Sequence, residues 1–281
     1  MLSKLVESFF YDKQNLADKL DKLEDRHRAL ETELNRISKE NSELKASFSE
    51  AVSFNNLEIE TLKAGMEEQR FSGHYDVWRE KRVTAIIEHF GPQWFQGKKI
   101  LELGCGYADI SLMFATLGAE VSVCDARKEH IDIVISRYPW MKTYIADINK
   151  EWPFEEAYDL IIHMGVLYHL DDINYSLIKS LESADNLVLE TEVSDSNDPS
   201  FLLKVEEDSK GYDQSITGVG SRPSPAYIES LIGKFQGNLE RISDSRCNSY
   251  FHQYNWLPRN DNSWRHGLRG FWFFSKHKQS N

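Results

Sequence analysis

Lys99-Ile100-Leu101-Glu102-Leu103-Gly104-Cys105-Gly106-Tyr107-Ala108-Asp109 is the stretch that decides the fold of this chain. It reads as a buried strand that runs into a glycine turn and then into a helix. Gly104 and Gly106 let the backbone turn tightly and approach a ligand closely, which any Cβ would hinder. One acid, Glu102, stands just ahead of the first glycine. A second, Asp109, stands where a dinucleotide fingerprint needs a third Gly or Ala. Such a fingerprint presents a helix N-terminus to a pyrophosphate. Two carboxylates would repel a pyrophosphate, so the turn suits a positively charged ligand without phosphates.

The segments that follow end in polar residues at matching places. Glu120-Val121-Ser122-Val123-Cys124-Asp125 is a second short apolar strand, and its terminal acid lies about twenty residues after the glycines, where a carboxylate accepts both ribose hydroxyls. Thr143-Tyr144-Ile145-Ala146-Asp147-Ile148 reads as a third strand, with Asp147 placed to accept from an adenine amino group. A fourth, Tyr158 to His163, runs into Met164-Gly165-Val166-Leu167-Tyr168-His169-Leu170, and a fifth spans Asn186 to Glu192. Ligands of open α/β sheets bind across the carboxyl ends of the strands. Any one of these acids alone also reads as a helix cap or turn residue; four strand ends in the right order are harder to reach by accident.

In order and spacing, residues 75–195 resemble the class I (Rossmann-like) methyltransferases that use S-adenosylmethionine, with the remainder to Lys278 similar in topology only. The resemblance implies an α/β fold, a doubly wound, mostly parallel seven-stranded sheet, with S-adenosylmethionine as cofactor. Carried over by position, Glu102, Gly104, Gly106 and Asp125 match the first two motifs of the family. Asp147 matches its adenine-contacting acid, with Ile148 beside it, and His163 falls in the cofactor shell. Ala108 departs from the third glycine of many members, a small obstacle of one methyl. Gly165 to Leu170 also resembles a run in the carboxymethyl-transferring tRNA wobble-uridine enzymes, and it recurs in small-molecule methyltransferases.

Composition bounds the rest. A chain of 281 residues has room for one α/β domain and an additional segment. It contains no run of eighteen apolar residues, so no membrane span is expected, and its N-terminus lacks a signal-peptide pattern. Cys105, Cys124 and Cys247 are an odd set at spacings that suit neither zinc nor disulfides, which fits a cytoplasmic location. A net charge of −12 disfavours nucleic-acid partners, which demand phosphate neutralisation.

The additional segment is N-terminal. From Leu16 the core positions step by four and three through Leu20, Leu23, His27, Leu30, Leu34, Ile37, Asn41, Leu44, Phe48 and Ala51, a heptad seam. No Gly or Pro interrupts residues 1–64. A lone helix of this length would leave its leucine stripe in water. The g-to-e pairs Lys19 with Glu24, Arg26 with Glu31 and Glu40 with Lys45 are opposite in sign and favour a parallel arrangement. A coiled-coil oligomerisation helix over 1–64, joining a dimer or trimer of this chain, is therefore expected, ahead of a catalytic domain over 65–281. Folding back on its own domain is the plainer alternative.

Residues 71–82 read as a helix over the cofactor, with Tyr75, Trp78, Arg79 and Arg82 as candidate contacts, or simply as a helix packed on the sheet. Residues 195–222 read as a lid or long loop around a short helix. Residues 245–270 form an aromatic insert whose Tyr250, His252, Tyr254, Trp256 and Arg265, together with Tyr168, are candidate substrate contacts, since rings mixed with donors suit a sugar face; packing at the sheet edge is the alternative. A hydroxyl acceptor needs a general base, for which His163, His169 and Glu190 are the candidates. A His163, Glu190, Glu192 set has no recognised metal-ligand spacing, so no metal is expected. The expected function is methylation of an oxygen on a sugar, glycan or other polar small molecule. A tRNA wobble-type transferase, or a coiled-coil scaffold with a vestigial domain, stands as the alternative.

Overall fold

The computed structural model describes Phe71 and residues 74–277, together with His27, Arg28, Leu30 and Thr32, which are helical. The chain divides into two units, Met1–Lys63 and Ala64–Asn281. The coiled coil expected over 1–64, and the self-association built on it, lie outside the described residues apart from those four.

The second unit opens with α1 (His74–Phe90) and a 3-10 turn (Pro92–Phe95). There follow β1 (Lys99–Leu103), α2 (Asp109–Thr116), β2 (Glu120–Asp125), α3 (Lys128–Arg137), β3 (Lys142–Ile145) and β4 (Tyr158–Met164). Next come a 3-10 turn (Leu167–His169), α4 (Ile173–Ser183) and β5 (Ala184–Glu192). The chain closes with β6 (Leu202–Glu206), β7 (Val219–Pro223), α5 (Pro225–Ile232), β8 (Gly237–Arg241) and β9 (Arg269–Lys276). The main sheet has seven strands in the order β3-β2-β1-β4-β5-β9-β8. β1 to β5 are mutually parallel, while β9 runs antiparallel to both β5 and β8. This is the Rossmann-like arrangement.

Strands buried on both faces explain the apolar runs. Alternation sends Ile100, Val121, Val123, Leu160, Ile162, Val188 and Phe273 to one face, against Ile86 of α1, Phe114 of α2 and Val134 of α3. It sends Leu101, Leu103, Ile161, Leu187 and Leu189 to the other, against Leu177 and Leu181 of α4 and Ile228 and Ile232 of α5. Side-chain caps start the second pair of helices: Asp172 accepts from the Asn174 and Tyr175 amides, and Ser224 from the Tyr227 amide.

The segment expected as a loop around a short helix is instead an antiparallel hairpin. β6 and β7 form a separate two-stranded sheet, with Leu203 opposite Arg222 and Val205 opposite Gly220. The loop 207–218 joins them. The short Leu202–Glu206 run carries the strand signal, and Gly218 and Gly220 obscured its partner strand. Among the described residues no helix is long and apolar enough to cross a membrane.

Candidate active site

A cleft of about 540 Å³ opens at the carboxyl ends of β1, β2 and β4, where the strand order reverses. Its floor is the glycine turn. Gly104 has φ +64°, and a Cβ there would lie 2.6 Å from Val166 Cβ, so only glycine fits. Gly106 has φ +53° and lies beneath the Phe71 ring. Ala108, where the resemblance expects a third glycine, also takes a left-handed conformation with φ 62°; an L-residue there costs roughly 1–2 kcal/mol.

The acids converge on this floor. Asp125 accepts from the Gly106 amide at 3.0 Å and from the Arg127 amide at 2.9 Å, which fixes both oxygens and leaves each with further acceptor capacity. Glu102 accepts from the Ser111 amide at 3.0 Å and the Ser111 hydroxyl at 2.6 Å. Burial pushes the Glu102 carboxyl up to about 7, against those two bonds. Asp147 accepts from the Asn149 amide and pairs with Lys150 at 2.9 Å, and Ile148 lies beside it on the wall. Asp109, counted from the sequence as a repelling charge, is paired with Arg79 at 3.1 Å. A glycine floor that a Cβ would fill, edged by Glu102, Asp125 and Asp147, fits a ligand bearing ammonium, sulfonium and ribose groups. It does not fit a pyrophosphate.

The loop of the β6–β7 hairpin closes over this shelf. Arg127 Nη2 donates to the carbonyls of Gly211 at 2.7 Å and Gln214 at 3.0 Å. The Tyr75 hydroxyl donates to Asp213. At the root of the loop Glu207 meets His169 Nδ1 at 2.5 Å, accepts from the Ser215 amide at 2.8 Å and pairs with Arg222 at 3.0 Å. Burial opposes ionisation of Glu207, but His169, the Ser215 amide and Arg222 together hold its carboxyl below the usual range. An ionised Glu207 can only accept, so His169 Nδ1–H donates to it and Nε2 keeps the free lone pair.

Beyond His169 the cleft is walled by Tyr168, Glu192, Arg222, His252, Trp264 and Arg269. Arg222 donates to the Tyr168 carbonyl at 2.7 Å and pairs with Glu192 at 2.5 Å. The Arg269 guanidinium lies 4.5 Å from the Tyr168 ring centroid. His252 stacks on Trp78 at 4.2 Å.

Several residues named from the sequence lie elsewhere. His163 is fully buried and faces α4, with Nε2 3.0 Å from Ser176 Oγ. Burial pushes it down to about 3, so it is a neutral core imidazole rather than a base or a cofactor contact. The physical reason is strand parity: His163 shares the face of Ile161, opposite the one that reaches Glu190. Glu190 is fully buried in a pair with Arg82 at 3.1 Å, accepts from the Tyr254 hydroxyl, and has no place in the cleft wall. Tyr254 is buried beneath it and accepts from Trp78 Nε1 at 2.7 Å. Trp256 donates to the Arg269 carbonyl, and Arg265 pairs with the buried Asp195. Tyr250 is 91% exposed. Of the aromatic insert, His252, Phe251, Trp264 and His266 reach the cleft. The sequence reading missed Glu207 and Arg222 in functional roles, while Trp264 and Arg269 belong to the aromatic insert that it offered as a substrate contact.

Comparison with known proteins agrees with this geometry. Residues 100–183 match the family model described as a methyltransferase domain. Over 106 residues the chain is 32% identical to the mitochondrial ubiquinone biosynthesis O-methyltransferase of Schizosaccharomyces pombe, covering 34% of this chain and 39% of that protein. Over 91 residues it is 33% identical to the ubiquinone biosynthesis O-methyltransferase of Proteus mirabilis, covering 30% and 36%. The chain thus spans well under half the length of the curated relatives it matches. Among solved structures, the N-terminal domain of EvdMO1 with SAH bound has the same fold, with a TM-score of 0.54 at 16% identity over 71% of this chain and 81% of that one.

Proposed function

We propose that this chain, which carries a class I S-adenosylmethionine-dependent methyltransferase domain, methylates an oxygen on a sugar, glycan or other polar small molecule. When bound, S-adenosylmethionine supplies a methyl group on a cationic sulfur, and its transfer leaves S-adenosylhomocysteine. Glu102 balances the donor's positive charge, Asp125 holds the ribose, and Asp147 with Ile148 borders the adenine. His169 Nε2 takes the proton of the acceptor hydroxyl, and Glu207 orients and stabilises the imidazolium that forms.

One observation carries this reading: Asp125 and the His169–Glu207 pair line the same cleft, the donor shelf at one end and a base with its orienting acid at the other. The O-methyltransferase relatives support an oxygen acceptor. The wall of Tyr168, Phe251 and Trp264 among charged donors and acceptors supports a sugar-like one. The three buried free thiols fit a reducing cytoplasm, and the N-terminal heptads fit self-association.

Calorimetry against S-adenosylmethionine and S-adenosylhomocysteine, with Asp125→Ala beside the parent, tests the first half. Micromolar binding that the variant loses is expected; no binding by the parent sinks the reading. Release of S-adenosylhomocysteine on presentation of glycans and sugars tests the second half.

A further inference from the structure

The acceptor end of the cleft holds more donors than the protein satisfies. Arg269, at the start of β9, is 2% exposed and lines the cleft, yet its Nε and Nη1 have no hydrogen-bond partner. Glu190 is 3.7 Å from Nη1, beyond hydrogen-bond length. Trp264 Nε1, on the same wall, is likewise buried without a partner. The neighbouring carboxylates are already engaged: Glu190 by Arg82 and Tyr254, Glu192 by Arg222, His266 and the Gly267 amide, Glu207 by His169 and Arg222. Among the described residues of the cleft wall, the buried side-chain atoms without a hydrogen-bond partner are nitrogens. Of these, Arg222 Nε and His130 Nδ1 have a carboxylate beside them, while those of Arg269 and Trp264 do not have one within hydrogen-bond length. Buried unpaired donors are costly, and a protein retains them where a ligand completes them.

Building on the methyltransferase reading, we propose that the acceptor carries a carboxylate, bound by the Arg269 guanidinium with help from the Trp264 indole N–H. Nε and Nη1 lie on different edges of the guanidinium, so each offers a single charge-assisted N–H to a carboxylate oxygen. The Tyr168 ring, 4.5 Å from the guanidinium carbon, backs one side of that plane. Glu190 and Glu192 stand close enough to oppose a dianion more strongly than a monoanion, which favours a carboxylate over a phosphate. The same acids make a neutral acceptor leave Arg269 unsatisfied. The acceptor class is therefore an acidic sugar or hydroxy acid whose hydroxyl faces His169.

The test is calorimetry on the full chain saturated with S-adenosylhomocysteine. The probes are glucuronate and benzoate, their neutral counterparts glucose and benzamide, and inorganic phosphate. A carboxylate is expected to bind at least tenfold more tightly than its neutral counterpart and than phosphate. Arg269→Gln is expected to weaken it tenfold or more and Trp264→Phe about threefold, both with S-adenosylhomocysteine affinity retained, which also reports that the variants are folded. Binding by neither carboxylate, equal binding by the neutral probes, tighter binding of phosphate, or carboxylate binding indifferent to both substitutions overturns the proposal while leaving the methyltransferase reading intact. Loss of S-adenosylhomocysteine affinity in Arg269→Gln assigns that arginine to the donor instead and also overturns it. Failure of the parent to bind S-adenosylhomocysteine removes the methyltransferase reading, and this inference with it.

Discussion

The Tyr75 hydroxyl reaches 2.7 Å to a carboxylate oxygen of Asp213, joining the start of α1 to the hairpin loop across 138 residues of sequence. Burial, then Asp213 itself, pushes the phenol well above its usual range, so it remains a donor. Tyr75 and the Arg127 bonds to the loop carbonyls tie the loop over the donor shelf.

Tyr75→Phe removes one of these ties. A hydrogen bond to a charged group is worth about 1.5–3 kcal/mol, so S-adenosylmethionine is expected to dissociate about tenfold faster or more. Stopped-flow displacement reads this. An unchanged rate would show that the loop does not gate the shelf.

Glu102 predicts a pH effect. Its carboxyl ionises near 7 in the folded chain, against 4.5 for the ordinary group, so the folded state holds a proton that the unfolded state has released. Stability of the ligand-free protein therefore falls as pH rises from about 4.5 to about 7. Glu102→Gln is expected to match the parent at pH 4 and exceed it at pH 8 by roughly 1–3 kcal/mol, while binding S-adenosylmethionine less tightly. Thermal melts at the two pH values, paired with calorimetry, decide it; a variant less stable than the parent at pH 8 contradicts the assignment.

His169 and Glu207 are separable from donor binding. His169→Ala is expected to lower turnover by about 10²–10⁴ with donor affinity within about twofold. Glu207→Gln should lower turnover less and shift the pH–rate profile. Its effect on stability has the opposite sign to that of Glu102: the folded carboxyl ionises below 4.5, so its contribution is present above that pH and lost as pH falls through the folded value. Retention of full turnover by His169→Ala would move the base elsewhere.

Gly104→Ala places a Cβ 2.6 Å from Val166 Cβ at a φ of +64°. Left-handed strain and overpacking together cost on the order of 2–4 kcal/mol. A melting point lowered by several degrees and abolished donor binding are expected. Pairing it with Val166→Ala should restore part of the stability, and failure to do so would place the clash elsewhere.

The donor half of the site was legible because its signals are local. Glu102, Gly104 and Gly106 lie within one strand-turn unit, and Asp125 and Asp147 sit at or just past the ends of short apolar runs. The acceptor half was legible only in part: Tyr168, His169 and His252 are named from the sequence and line the cleft, but their partners reach them only through long-range pairing. Glu207 reaches His169 through the β6–β7 hairpin, and Arg269 reaches Tyr168 through the antiparallel insertion of β9. His163 was misread for a different reason. A strand end offers two faces, and which one meets the cleft depends on where α4 packs. Glu190 carries the charge of a catalytic acid, and nothing in its own neighbourhood reveals that Arg82 lies against it.

The β6–β7 hairpin shares no strand with the seven-stranded sheet, although its loop and its Arg222 supply much of the acceptor wall. The hairpin thus meets the donor shelf and His169 through side-chain bonds rather than through strand pairing. Exchange of the hairpin loop 207–218 leaves the glycine turn and Asp125 in place. The hairpin is the natural cassette for retargeting, whether by divergence among related enzymes or by grafting at the bench.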